Sequence, residues 1–214
     1  MEYNRKNILK GYNLLLYFAG SMIMSEPTDE CVVDFWTSGN LKRLPVSSSN
    51  PRFLKAASLL RDTCTDNVKC RQMLADDYFS LFSESGSLFA PARASCYLAG
   101  RNNGSSVEKE ISGFYNSYGW QPIKPGKPAD HLGIELLFIT NLVEKYLSFD
   151  DEPCCLEMKK EIRRFINDYV LSWVSAWNEN VQKHAHTKCF KGICTLIYAC
   201  AEDLYRMFSS GEAL

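Results

Sequence analysis

An apolar helical stripe directly behind a proline-rich loop is the feature that most constrains how this chain can fold. Beyond the loop, apolar side chains recur at steps of three and four residues, at Leu132, Leu136, Ile139, Val143 and Tyr146. This spacing places them on one helix face, which a globular protein buries. Asp130 stands where an N-cap would accept hydrogen bonds from backbone N–H groups of the first turn. The sequence therefore predicts a buried helix over residues 130–148.

Helical patterns of this kind cover almost the whole chain. The candidate helices lie at 5–24, 28–38, 50–62, 66–83, 92–99, 105–118, 130–148, 153–184 and 187–209. No region shows sustained period-two alternation between hairpin turns, so strands are not needed. A chain of 214 residues with 46% hydrophobic side chains can bury one sizeable core. We predict an all-α fold, a single-domain bundle of about nine to eleven helices over residues 1–214.

The longest interruption of the helical pattern is the segment 119–129, which contains three prolines. Proline fixes φ and removes a backbone donor, so a helix cannot continue through this segment. It divides subregion 1–118 from subregion 130–214. Two interpretations remain open, an ordered surface loop and a true hinge. A hinge would permit the two halves to exchange between protomers and form a domain-swapped homodimer.

Composition and charge exclude two classes of partner. The net charge is −1 and 23% of the residues are charged. The chain therefore lacks the excess of Lys and Arg that nucleic-acid binding requires. No stretch approaches the roughly 18 uninterrupted apolar residues of a membrane span, so membrane insertion is not expected. The apolar run from Leu14 to Met24 follows basic residues, as in a secretory signal peptide. Asn13 directly precedes that run and Gly20 interrupts it, which favours an amphipathic first helix instead.

The nine cysteines do not form a recognisable framework. Their number is odd and no CxxC pair occurs. Disulfide frameworks are typical of small secreted chains, whereas this chain has an ample apolar core. We expect reduced thiols that fill small volumes in the core.

Catalytic chemistry finds little support in the sequence. There is no Ser-His-Asp order, glycine-rich phosphate loop or nucleophile elbow. A metal-dependent helical enzyme remains an alternative, with ligands from His131 and Glu135 or from His184, His186 and Cys189. On one helix His184 and His186 would point to nearly opposite sides, which disfavours joint ligation. We predict a protein that is not an enzyme, with no cofactor and no metal site.

Several short motifs occur in a characteristic order along the chain. They are the segment 77–82 (Asp-Tyr-Phe-Ser-Leu-Phe), Pro91, the segment 95–97 (Ser-Cys-Tyr), Gly119 and the segment 128–138. In this order they resemble the signatures of the TorD/DmsD family, which are all-helical cytoplasmic chaperones for molybdenum oxidoreductases. The run from Phe165 through Trp173 and His184 to Tyr198 is similar to the closing helices of that family. The resemblance covers nearly the whole chain.

The resemblance implies a role in enzyme maturation. Chaperones of this family bind the twin-arginine signal peptide, the body, or both, of an immature molybdoenzyme of the dimethyl-sulfoxide-reductase group. They hold it in the cytoplasm until its molybdopterin cofactor is inserted, which delays export. The resemblance assigns partner-binding roles to Asp130, His131, Glu135, Tyr78, Leu81, Phe82, Pro91, Ser95 and Tyr97. The family often has an acidic residue just before the serine of the Pro-to-Tyr segment, where this chain has Ala94.

The chemistry of a twin-arginine leader suggests what its receptor should contain. The leader has two arginines followed by an apolar segment, so an apolar groove with carboxylates at one end is expected. Asp130 and Glu135 are the candidate carboxylates, with aromatic side chains as the groove wall. Each residue also has an ordinary structural interpretation: a helix cap for Asp130, a satisfied buried histidine for His131, and core packing for the aromatics. A generic helical adaptor or regulator without a molybdoenzyme client is the other functional alternative.

Overall fold

The computed structural model of the protein describes residues 2–28, 43–61, 67–98, 105–122 and 126–209. The described part contains eight α-helices, fewer than the nine to eleven predicted. They are α1 (Glu2–Met24), α2 (Pro51–Leu60), α3 (Asn67–Phe82), α4 (Ser105–Ser117), α5 (Leu132–Ser148), α6 (Glu152–Phe165), α7 (Val174–His184) and α8 (Lys188–Ser209). No strand occurs in these ranges, so the predicted all-α class is confirmed. The predicted helix at 28–38 lies almost entirely outside the described residues.

Helix α5 lies at the centre of the bundle. Every residue from Leu132 to Thr140 is buried, so this first half of the helix is covered on all sides and not only along the predicted stripe. Helix α1 packs against α5, and α8 packs against α1, α2, α6 and α7. Elements from the two predicted subregions therefore pack against each other.

The contact between α1 and α5 depends on two glycines that face each other. A Cβ built on Gly133 would lie 2.3 Å from Cγ of Met24 and 3.0 Å from the carbonyl oxygen of Gly20. A side chain at position 133 would therefore collide with α1. Close backbone approach at this point fixes how the first turn of α5 sits against the end of α1.

An aromatic cluster fills the core between α4, α5 and α6. The Phe138 ring lies 4.7 Å from Tyr115 and 4.9 Å from Phe165, measured between centroids. The Phe114 and Trp120 rings also contact it, at 5.8 and 5.2 Å. Tilted and edge-on contacts of this kind favour a rigid interior.

The predicted helix over 92–99 is wrong. Only a short 3₁₀ turn forms there, from Ala94 to Cys96. The backbone N–H of Ala94 donates to the Asp130 carbonyl at 2.9 Å, and that of Leu132 donates to the Ala92 carbonyl at 2.8 Å. Residues 93 and 131 form an isolated antiparallel bridge. The segment is therefore held by main-chain bonds to the start of α5, which replace the bonds of a helix.

The predicted single helix over 153–184 is also wrong, because it is interrupted after Phe165. A π-helical turn spans Ile166–Leu171, and α7 begins only at Val174. Within the turn, the Ser172 hydroxyl donates to the Asp168 carbonyl at 2.7 Å, and the Trp173 indole N–H donates to the Tyr169 carbonyl. Side chains thus occupy carbonyls that regular helical turns would use, which is a known cause of distortion.

The state of the cysteines differs in one place from the expectation of reduced thiols. The buried Cys155, Cys194 and Cys200 are reduced. Cys70, however, is disulfide-bonded, and its partner lies outside the described residues. The expectation therefore fails at Cys70. Within the described ranges, none of the helices has the length and apolar character that crossing a bilayer requires.

Candidate functional site

A surface groove of about 400 Å³ opens where the end of α3 meets the start of α5. We call it the α3–α5 groove. It is lined by Tyr78, Phe82, Ser83, Glu84, Ser85, Leu88, Pro91, Ala92, Arg93, Cys96, Gly126, Lys127, Pro128 and His131. Four of the nine predicted site residues are among these, namely Tyr78, Phe82, Pro91 and His131. The groove joins residues from both sides of the proline-rich segment.

Aromatic rings form the apolar wall of the groove. The Phe82 ring contacts Tyr78 edge-on at 5.8 Å and is stacked on Trp177 at 6.2 Å. Phe190 supports it from α8 at 5.5 Å. The Trp177 indole N–H donates to the Ala90 carbonyl at 3.1 Å, which ties the wall to the loop after α3. The wall is therefore fixed by packing on the core.

Two large apolar side chains stand exposed beside the groove. Phe79 is 52% exposed and Phe89 is 44% exposed. Phe89 is stacked on His184, with ring centroids 4.4 Å apart. The loop between them requires Gly86, because a Cβ there would lie 2.0 Å from the Phe79 carbonyl oxygen. Exposed aromatic surface next to a concave site is typical of protein-binding regions.

Asp130 does not cap α5, contrary to the prediction. Its side chain is fully buried, and its Oδ1 accepts hydrogen bonds from Nε and Nη2 of Arg93 at 3.2 and 3.1 Å. Its Oδ2 accepts from the backbone N–H of Ser95 at 3.0 Å. Arg93 also reaches Oε2 of Glu108 at 3.4 Å. Asp130 thus joins the segment after Pro91 to the start of α5 through an ion pair whose carboxylate is buried and whose cation is partly exposed.

His131 takes the capping position. Its Nδ1 accepts a hydrogen bond from the backbone N–H of Gly133 at 3.1 Å, so the ring hydrogen is on Nε2. Burial lowers the pKa of His131 to about 3, and the cation Lys127 acts in the same direction. The imidazole is therefore neutral at physiological pH. It contributes a cap and a groove wall but no charge.

Glu135 lies deeper and has no hydrogen-bond partner in the described part of the chain. The side chain is fully buried, and both carboxyl oxygens are unsatisfied. Burial raises the pKa of Glu135 well above its usual range, and the nearby Asp130 adds to the shift. Both effects disfavour the charged form of the acid. The position holds a buried carboxyl group near the Arg93–Asp130 pair.

The remaining predicted site residues lie outside the groove lining. Leu81 is fully buried in the core. Ser95 contributes its backbone N–H to Asp130. Tyr97 is stacked on Trp173 at 5.3 Å, and its hydroxyl accepts a hydrogen bond from Asn180 at 3.4 Å. These three residues support the walls from behind.

The charge of the groove differs from the expected negative edge. Its charged lining residues are Glu84, Arg93 and Lys127, whereas Asp130 and Glu135 are both buried. The expectation that these two carboxylates stand at the rim is therefore wrong. Sequence reasoning missed Arg93, although a buried aspartate requires a cationic or amide partner. Nothing in the local sequence identifies which cation supplies it.

The alternative metal sites do not assemble. In the part of the chain that the structure describes, no group of three or more His, Cys, Asp or Glu side chains could hold a metal ion. His184 is stacked on Phe89, whereas His186 bonds to Oδ1 of Asp77 at 3.1 Å. The Nδ1 atom of His131 is occupied by its capping bond.

Comparison with known proteins identifies the family. A sequence model described as "Nitrate reductase delta subunit" matches residues 50–179, a range that contains every lining residue of the groove. The chain belongs to this family. It is 28% identical over 137 residues to a protein named "Chaperone protein TorD" from Vibrio vulnificus strain CMCP6, and 27% identical to its namesake from strain YJ016. The match spans 63% of this chain and 63% of each relative. The resemblance to the TorD/DmsD family is thereby confirmed.

Proposed function

We propose that this protein is a cytoplasmic maturation chaperone that binds the precursor of a molybdenum oxidoreductase of the dimethyl-sulfoxide-reductase group. It holds the twin-arginine leader, the immature body, or both, while the cofactor is inserted, and so delays export. The role is one of binding and requires no catalysis. Membership of the family and the name of the two relatives support the class of client.

The observation that carries the proposal is the α3–α5 groove with its exposed aromatic flank. At about 400 Å³ the groove has the size of sites that take a few side chains of a peptide. Phe79 and Phe89 extend the apolar surface beyond its mouth. A leader's apolar segment would lie against this surface, because burial removes apolar area of both partners from water.

The arginines of the leader require acidic groups near one end of that surface. Glu84 lines the groove, and Glu108 lies beyond Arg93 with 39% of its side chain exposed. Guanidinium groups bind carboxylates in a bidentate manner, so these residues favour arginine over lysine. Lys127 repels the arginines of the leader electrostatically. The contacts of these arginines with Glu84 and Glu108 therefore decide where the leader lies.

Calorimetric titration with leader peptides tests the proposal. The peptides are the twin-arginine leaders of the molybdoenzymes encoded in the same genome, each paired with a variant in which both arginines are lysine. We expect at least one leader to bind and its lysine variant to bind about tenfold more weakly, the loss of about 1.4 kcal/mol. Binding only to a leaderless precursor would assign recognition to the body. Failure to bind any leader or any precursor would favour the adaptor alternative.

An exchange of halves between protomers would not remove this site. The groove takes walls from the residues before and after segment 119–129, so a domain-swapped homodimer would rebuild each groove from two chains. We propose such a dimer as a second form of the same chaperone. Gel filtration with light scattering tests it: a dimer fraction that binds leader as the monomer does is the expected result.

A further inference from the structure

We infer that Arg93 occupies the guanidinium site of the free protein and is exchanged for an arginine of the bound leader. The inference rests on the proposed function. It explains how the buried carboxylate of Asp130 becomes accessible to a client. It makes Asp130 the acceptor and Arg93 an internal competitor. The ligand of the exchanged site is a guanidinium group.

The acceptor half of the site is fixed. Asp130 is fully buried, and its Oδ2 accepts from the backbone N–H of Ser95 at 3.0 Å. The carbonyl oxygen of Asp130 accepts from the Ala94 N–H at 2.9 Å. Bonds from the main chain hold the carboxylate in place whichever cation occupies Oδ1.

The resident cation, in contrast, is held only at its end. Arg93 makes its two bonds to Asp130 through one oxygen, Oδ1, at 3.2 and 3.1 Å. Its side chain is 34% exposed and lines the groove. Glu108 already lies 3.4 Å from Nη2 of Arg93 and is itself 39% exposed. Arg93 therefore has an acidic partner at the surface towards which it can turn.

An empty site at this corner would be unfavourable. A buried carboxylate without a cation loses its solvation and gains nothing in return. Near it, Glu135 is buried and neither of its oxygens has a hydrogen-bond partner among the described residues, so Glu135 supplies no bond that would replace Arg93. Exchange of one guanidinium for another keeps the empty state a minor population, because Asp130 is paired both before and after the exchange.

The geometry also gives the direction of entry. Arg93 and His131 line the groove, while Asp130 lies behind Arg93 and out of contact with solvent. A leader arginine that comes along the groove thus reaches Asp130 through the position of the Arg93 guanidinium. The guanidinium group donates two N–H groups to Oδ1 from one planar group, an arrangement that an ammonium group cannot reproduce. A lysine of the leader is therefore a poor substitute for an arginine at this position.

Chemical rescue tests the site without a client. We expect the substitution Arg93→Ala to lower the melting temperature, and millimolar N-ethylguanidinium to raise it again by about 3 °C relative to its effect on wild type. Ethylammonium at the same concentration controls for charge, and the double variant Arg93→Ala, Asp130→Asn controls for binding elsewhere. Rescue by ethylguanidinium in the single variant alone is the supporting result. Equal shifts in all proteins, or none, would overturn the inference.

Leader binding tests the competition. If Arg93 leaves Asp130 free for one tenth of the time, the apparent affinity for leader is reduced about tenfold. The substitution Arg93→Gln should therefore tighten binding of a twin-arginine leader peptide by about tenfold, with no gain for the twin-lysine peptide. Unchanged or weaker binding would show that Arg93 has a structural role and does not compete with the leader for Asp130. A wild type that binds neither a leader nor a precursor would overturn the proposed function, whereas the rescue measurement would still decide whether Asp130 accepts a foreign guanidinium.

Discussion

Two buried aspartates, Asp77 and Asp130, are held in different ways. Asp77 lies in α3 with 1% of its surface exposed, and its carboxylate receives the backbone N–H groups of His186 and Thr187 at 2.7 to 3.1 Å. The Thr187 hydroxyl adds a bond of 2.6 Å. These donors belong to the turn before α8. Asp77 therefore joins α3 to α8 through neutral groups that cannot leave.

Asp130, in contrast, has a single backbone donor on its carboxylate among the described residues and depends on Arg93 for its other bonds. Its cation comes from a partly exposed side chain at the edge of a groove. The difference teaches that burial alone does not define a structural residue. A carboxylate satisfied by main-chain donors stabilises the fold, whereas one satisfied by a mobile cation beside an opening can also take part in binding.

The largest effect is expected from Asp77→Asn. The amide group places an N–H where the carboxylate accepted from backbone N–H groups, so about 3 kcal/mol of unfolding free energy should be lost. Binding of a leader peptide should be unchanged at temperatures where the variant is folded. Urea unfolding and calorimetric titration measure the two quantities. A loss of leader affinity in the folded variant would erase the contrast between the two aspartates.

A smaller loss of stability, about 2 kcal/mol, is expected from Asp130→Asn, because Arg93 can turn to Glu108 or to water. Leader affinity should fall by tenfold or more, since the guanidinium site loses its charge. The same urea and calorimetry experiments give the ratio of the two effects. If Asp130→Asn and Asp77→Asn weakened binding equally, unfolding rather than recognition would explain both.

The substitution His131→Asn tests, through the pH dependence of stability, whether the imidazole at the start of α5 is neutral in the folded protein. The folded pKa of His131 is about 3, against 6.5 in an unfolded chain. Between these values the unfolded chain binds the extra proton, so acidification destabilises the wild type by up to about 1.4 kcal/mol per pH unit. Asparagine retains a capping oxygen and does not titrate. The difference in unfolding free energy between the two proteins should shrink as pH falls from 6.5 to 4.5. A constant difference would show that His131 also takes up the proton in the folded protein.

The smallest change in stability is expected at the exposed rim. Phe89→Ser loses a stacking contact with His184 and should cost less than about 1 kcal/mol. Leader binding should nevertheless weaken severalfold, because apolar area is lost from the docking surface. Leu156→Ser is the matched control, since Leu156 is 46% exposed on α6 and does not line the groove. Equal weakening by both variants would place the leader elsewhere.

The central helix shows how far the sequence could be interpreted. Regular apolar spacing predicted α5 and its boundaries to within two residues, because that spacing depends on local geometry alone. Burial of the whole first half of the helix could not be inferred, since Glu135 looks like a surface residue. Its burial results from packing against neighbours distant in sequence, and no local pattern encodes it.

The errors share a cause in tertiary contacts. Asp130 resembles an N-cap in sequence, but its carboxylate binds Arg93, and His131 accepts the capping hydrogen bond instead. The segment after Pro91 has helix-forming residues, yet its main chain bonds to residues 130 and 132. Four of nine site residues could be placed at the groove from the family signatures, whereas its charge depended on Arg93 and Lys127, which the signatures did not include.

Photo-crosslinking tests most directly whether the groove receives the leader. Benzoylphenylalanine is introduced in place of Phe89 in one protein and in place of Leu156 in another, and each is irradiated with a labelled twin-arginine leader peptide. We predict a crosslink from position 89 that unlabelled leader abolishes, and none from position 156. Equal yields at the two positions, or a crosslink from position 156 alone, would contradict the account.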